Sequence, residues 1–113
     1  MTSQGSAQGR FTRAVQRRHL FMAETALREM GTPSLLVALD YLALLADVKP
    51  EKLPLAAIRF HGRLELESTT MTIAESQLAL SALASLCAGE NDAIEILRRL
   101  LRRVRPTHVQ RME

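Results

Sequence analysis

The residues best placed to do chemistry are arginines at the two ends of the chain. Residues 1–20 hold Arg10, Arg13, Arg17 and Arg18 and no acid. Residues 98–113 hold Arg98, Arg99, Arg102, Arg103, Arg105 and Arg111 against Glu113 alone. Between them, residues 21–97 carry five basic and eleven acidic side chains. The formal net charge of +3 therefore hides two basic ends on an acidic middle. Arg10, Arg13 and Arg17, spaced by three and four, share one side of a predicted helix. Arg98, Arg102 and Arg105 flank the apolar stripe Ile94–Leu97–Leu101–Val104, and Arg99 and Arg103 widen the positive surface. Such ridges suit phosphates, which need several positive groups at roughly backbone spacing. The same residues also fit solvated helix faces. Late cations complement a helix dipole, and Glu95 stands four positions before Arg99 in the favourable ion-pair order.

Other chemistry is sparse. His19, His61 and His108 do not stand in His-x-x-x-His spacing, and no metal or cofactor is implied. The positions of Arg59 and Arg63 put them on one face, away from His61. Cys87 has no adjacent base and is expected to be a buried small hydrophobe. Glu65 and Glu67 are two apart and do not face each other on a helix. The spacing Arg103-x-x-x-x-His108 resembles the HEPN ribonucleases, themselves small helical proteins. That resemblance implies Arg103 and His108 acting on an RNA phosphodiester across a dimer. Val104, where a polar residue is usual, and Pro106 between the pair depart from the pattern.

The elements that must carry these residues all read as helices. Residues 1–9 are small, polar and glycine-containing, which predicts a disordered tail. Phe11, Val15, Met22, Ala26 and Met30 recur at helical spacing over Arg10–Met30, with His19 at the edge of the buried side and Gly31 as the stop. Thr32-Pro33 is a start signal for a second helix to Asp47, with Leu35, Leu36, Leu39, Leu42 and Leu45 on a broad apolar face. A third helix is expected over about Pro54–Glu67, with Leu55, Ile58, Arg59, Gly62 and Leu66 along one side. Gly62 inside it implies a neighbouring helix passing close by. Thr72-x-x-Glu75 is a capping box opening a fourth helix. That helix should bury Leu78, Leu80, Leu83 and Leu86 and end at Gly89. The fifth runs over about Asp92–Arg105 and closes at Pro106.

The fold class is thus all-α: a four- or five-helix bundle or a short array of helical hairpins. The single helical domain spans 10–106, and 107–113 form a frayed C-terminal tail. Ala38-Leu39-x-x-Leu42-x-x-Leu45 is similar to Ala79-Leu80-x-x-Leu83-x-x-Leu86 at an offset of 41 residues. In that respect Pro33–Arg105 weakly resembles HEAT or armadillo repeats.

Composition narrows the function. Aromatics make up 4% with no Trp, which argues against a base-stacking platform for single-stranded nucleic acid. One cysteine excludes a disulfide framework. Leu35–Ala46, the most apolar stretch, is too short to span a membrane and is interrupted by Asp40. No secretory leader pattern stands at the start, so a cytoplasmic location is expected. The expectation is a non-enzymatic helical module with a protein partner, and a homodimer because apolar residues wrap around the second helix. The alternative is a sequence-nonspecific nucleic-acid accessory protein using the basic ends.

Overall fold

The computed structural model describes residues 6–104, and every regular element among them is helical. The order is α1 (Ala7–Gln16), α2 (Leu20–Met30), α3 (Leu35–Val48), a 3-10 turn (Pro50–Lys52), α4 (Leu53–Glu67), α5 (Ile73–Cys87) and α6 (Ala93–Val104). From α3 onward each helix packs on the next and α6 returns to α3, which closes a four-helix ring. The α1–α2 pair packs on α3 from outside that ring. The principal extents are 41 × 40 × 19 Å, a plate about two helix layers thick.

The first expected helix is two. It starts at Ala7, ahead of Arg10, because the Ser6 hydroxyl accepts from the Gly9 amide at 2.8 Å. It breaks at Arg17–His19, where Arg18 takes a left-handed φ of 57°. That conformation costs a non-glycine residue roughly 1–2 kcal/mol. In return the corner folds Phe11 and Ala14 of α1 into one buried cluster with Ala23 and Ala26 of α2. It also sets Arg18 2.6 Å from Asp47 at the end of α3. His19 is not at a core edge: it is exposed and caps α2, its Nδ1 accepting from the Met22 amide at 3.4 Å.

The cap of α3 is Ser34, not Thr32, with its hydroxyl 3.2 Å from the Val37 amide, so Pro33 lies outside the helix. Leu35, Leu39, Leu42 and Leu45 enter the main core while Val37 and Leu44 enter the α1–α2 cluster. Of the apolar residues that wrap around this helix, Leu35, Val37 and Leu39 are consumed inside the chain, and Leu36 is left half exposed. Thr72 and Glu75 form the reciprocal capping box of α5, at 3.1 and 2.9 Å.

Two faces differ from expectation. In α4 the buried side is Leu53, Ala57, Phe60 and Leu64, and the expected side is the solvent side. Burial of Arg59 with its neighbours would strip an unpaired guanidinium of water, and Phe60 brings more apolar area than any residue of the other stripe. In α5 the small Ala79 and Ala82 point inward with Leu83 and Leu86, and Leu78 and Leu80 stand half exposed. Cys87 is exposed, not buried. Nothing lies within 4 Å of where a Cβ on Gly62 would stand, so no helix of the described chain passes close to it. Gly62→Ala is accordingly expected to stabilise the dilute protein by about 0.5–1 kcal/mol, read from its urea midpoint.

Candidate interaction surface

The N-terminal ridge lines a real concavity. Arg10, Arg13, Arg17 and His19 surround a cleft of about 400 Å³ between α1 and α2, floored by Ala14, Met22 and Ala26. Arg10 is hydrogen-bonded to Glu29. On α6, Arg98 donates to Asp40 of α3 at 2.9 Å and pairs with Glu95 at 3.5 Å, so Glu95 serves Arg98 and not the expected Arg99. Arg103 lies 2.6 Å from Glu75. The hydrogen bond from the Thr72 amide, helped by Arg103, outweighs an opposing desolvation and holds the Glu75 carboxyl below its ordinary value. Arg13, Arg17, Arg99 and Arg102 make no ion pair with a described residue. Arg105 and His108 lie outside the described residues, and with them the second half of the ribonuclease-like spacing.

Structure adds two polar clusters that spacing did not reveal. The Nε2 of His61 is 3.2 Å from Ser76 Oγ and 3.3 Å from Glu65 Oε2, and the serine hydroxyl donates to that same carboxylate oxygen. A nucleophilic triad needs the imidazole between hydroxyl and acid, one ring nitrogen to each. Here both partners meet one nitrogen and the hydroxyl is directed to the acid, so the cluster ties α4 to α5. In the second, Glu24 of α2 accepts from Tyr41 of α3 at 2.6 Å and from Lys52 at 2.7 Å. Burial pushes the Glu24 carboxyl up, but these two hydrogen bonds and the Lys52 charge outweigh it and hold the value below the ordinary 4.5. Burial and then Glu24 push the Tyr41 phenol well up.

A depressed carboxyl stabilises the fold above its unfolded value and loses that contribution as pH falls through the folded one. Glu24→Gln is thus expected to lower the thermal midpoint at neutral pH. The gap to the unsubstituted protein should narrow as pH falls through the depressed folded value and close once the carboxyl is protonated in both states. A gap constant with pH would mean that Glu24 acts through shape alone.

The outer face of α4 is an exposed apolar surface. Leu55, Ile58 and Leu66 are 55%, 69% and 83% exposed, and with Gly62 they form one outward stripe on α4. Beside it, Ile58 and Leu80 stand across a groove of about 320 Å³ between α4 and α5, with His61 and Cys87 also on its walls. The outer side of α5 continues this character, since Ser76–Gly89 contains no charged residue. Monomer surfaces commonly carry single exposed apolar residues, whereas a contiguous stripe marks an interaction site. No helix among the described residues is long and apolar enough to cross a membrane. Comparison with protein-family models, curated proteins and solved structures returns no match.

Proposed function

We propose that this chain is a non-enzymatic helical interaction module of the cytoplasm, which acts by burying the outer face of α4 and its groove with α5 against another polypeptide. The observation that carries this reading is the stripe Leu55–Ile58–Gly62–Leu66, apolar along its length and left in water by the chain's own fold. Its neighbour Cys87 is an exposed free thiol, which fits a reducing compartment. The test is capture from native extract after nuclease treatment, in about 0.5 M salt, where screening shortens to a few ångströms. A partner held by the unsubstituted chain and lost by Ile58→Lys supports the module. A partner retained by Ile58→Lys, or released by nuclease, counts against it.

The α1–α2 cleft favours a second reading, a nucleic-acid accessory role. Within the two basic ridges, ion pairing leaves Arg13, Arg17, Arg99 and Arg102 without a described carboxylate partner. Four neutralised phosphates on a single strand give a slope of log K on log salt of about −3. Reversal of charge at Arg13 and Arg17 should then weaken binding uniformly across sequences, and absence of binding at low salt removes this reading.

A further inference from the structure

We propose that the α1–α2 cleft binds a single-chain amphiphilic anion, its charged head on Arg13 and Arg17 and its apolar body along the helix pair. This site lies outside the α4–α5 face and shares no residue with it. The hollow exists because Ala14 of α1 and Ala26 of α2, both buried, are too small to fill the space between the two helices. Met22, half exposed, adds a flexible apolar wall. A hollow of about 400 Å³ falls within the usual range for small ligands, which are held by mainly apolar walls and a few placed polar groups.

The polar groups are unevenly placed along it. Arg17 and His19 flank the corner between the two helices, and Arg13 stands one turn back from Arg17. Both arginines are exposed and make no ion pair with a described residue. The His19 Nδ1 accepts from the Met22 amide, which in the neutral ring leaves Nε2 carrying the proton as a donor. Thr25 directs its hydroxyl to the Phe21 carbonyl at 2.9 Å. None of the described residues lining the cleft is acidic. The corner end thus offers positive charge and donors, the combination that a carboxylate or phosphate head takes from arginine. At the far end Arg10 is tied to Glu29, so its charge is matched within the chain. The floor between runs about 10 Å, the seven positions from Arg17 back to Arg10. An amphiphile is oriented by that polarity, head at the corner and body toward the neutralised end. A nucleic-acid strand would meet the same arginines through its phosphates and leave the apolar floor in water, so the floor favours the amphiphile.

Calorimetric titration of the full chain with decanoate and with decyl phosphate, below their micelle concentrations, tests this. Circular dichroism confirms that each variant is folded, and amide shifts locate the ligand. At least one of the two should bind one to one with shifts confined to α1 and α2, and the tighter of them names the head. Decyltrimethylammonium, with the same body and a cationic head, and inorganic phosphate, a head without a body, should each bind on the order of tenfold more weakly or worse. Arg13→Gln with Arg17→Gln should weaken the anion by on the order of tenfold or more, and Met22→Gln by several-fold. Ile58→Lys, which tests the α4 face, should leave this binding unchanged. Failure of both amphiphiles to bind would overturn the inference. So would binding indifferent to the arginines, equal binding of the cationic analogue, or loss of binding on Ile58→Lys. If neither amphiphile binds while a single-stranded oligonucleotide binds through Arg13 and Arg17, the inference falls and the nucleic-acid reading remains.

Discussion

Phe11→Ala is expected to detach the α1–α2 pair while leaving the α3–α6 ring folded. The α1–α2 cluster contains a single aromatic anchor, Phe11, and otherwise buries Ala14, Ala23, Ala26, Val37 and Leu44. Phenylalanine truncation in a core costs about 3–5 kcal/mol. What remains against α3 is the contact of Val37 and Leu44 with small alanines, plus polar ties: Arg18 to Asp47 at 2.6 Å, Glu24 to Tyr41, and Glu24 to Lys52 of the 3-10 turn. Exposed ion pairs contribute about 0–1 kcal/mol each and do not offset that loss. Hydrogen exchange should show amides of residues 7–30 losing protection while those of α4–α6 keep theirs. Equal loss along the whole chain would mean that the two clusters unfold as one cooperative unit.

Leu39→Ala is expected to act globally. Leu39 is fully buried in the main core on α3, the helix that both clusters share. Loss of its side chain should cost about 2–5 kcal/mol, and all probes should shift together in urea. Leu80 occupies the matching place in the pattern 41 residues on, but it is half exposed. Leu80→Ala should cost less than about 1 kcal/mol. Equal costs at the two positions would show that Leu80 is buried in solution, as an occupied α4–α5 face would bury it.

Several helix ends were legible from the residue that makes them, although the sequence points to Thr32 where Ser34 caps α3 and does not mark the Ser6 cap of α1. Gly31 and Gly89 take positive φ, and Thr72 with Glu75 forms the reciprocal cap. The corner at Arg18 was not legible, because no glycine or proline marks it; a bulky residue takes the left-handed turn, and only tertiary contacts reward it. In α4 two apolar stripes satisfy the same helical period, Leu53–Ala57–Phe60–Leu64 and Leu55–Ile58–Gly62–Leu66. Periodicity cannot rank them, and the position of Arg59 was the available clue. The outward stripe was visible in the sequence as a stripe, though not as a surface. Among the arginines, spacing revealed the ridges, but the partners Glu29, Asp40 and Glu75 lie on other helices and emerge only on folding.

The return of α6 to α3 has a kinetic consequence. Nearly every other packing relation in the ring joins helices adjacent in the chain, which keeps contact order low and favours assembly in microseconds to milliseconds. The α3–α6 contact is the exception; its Asp40–Arg98 bond spans 58 positions. Loop closure therefore concentrates its entropy loss in that one step, growing as about (3/2)RT ln n. On the ribosome α6 is the last of the six described helices to emerge. Until it does, the leucines of α3 that it covers remain open, so nascent chains halted before Ala93 should be the species that chaperones hold.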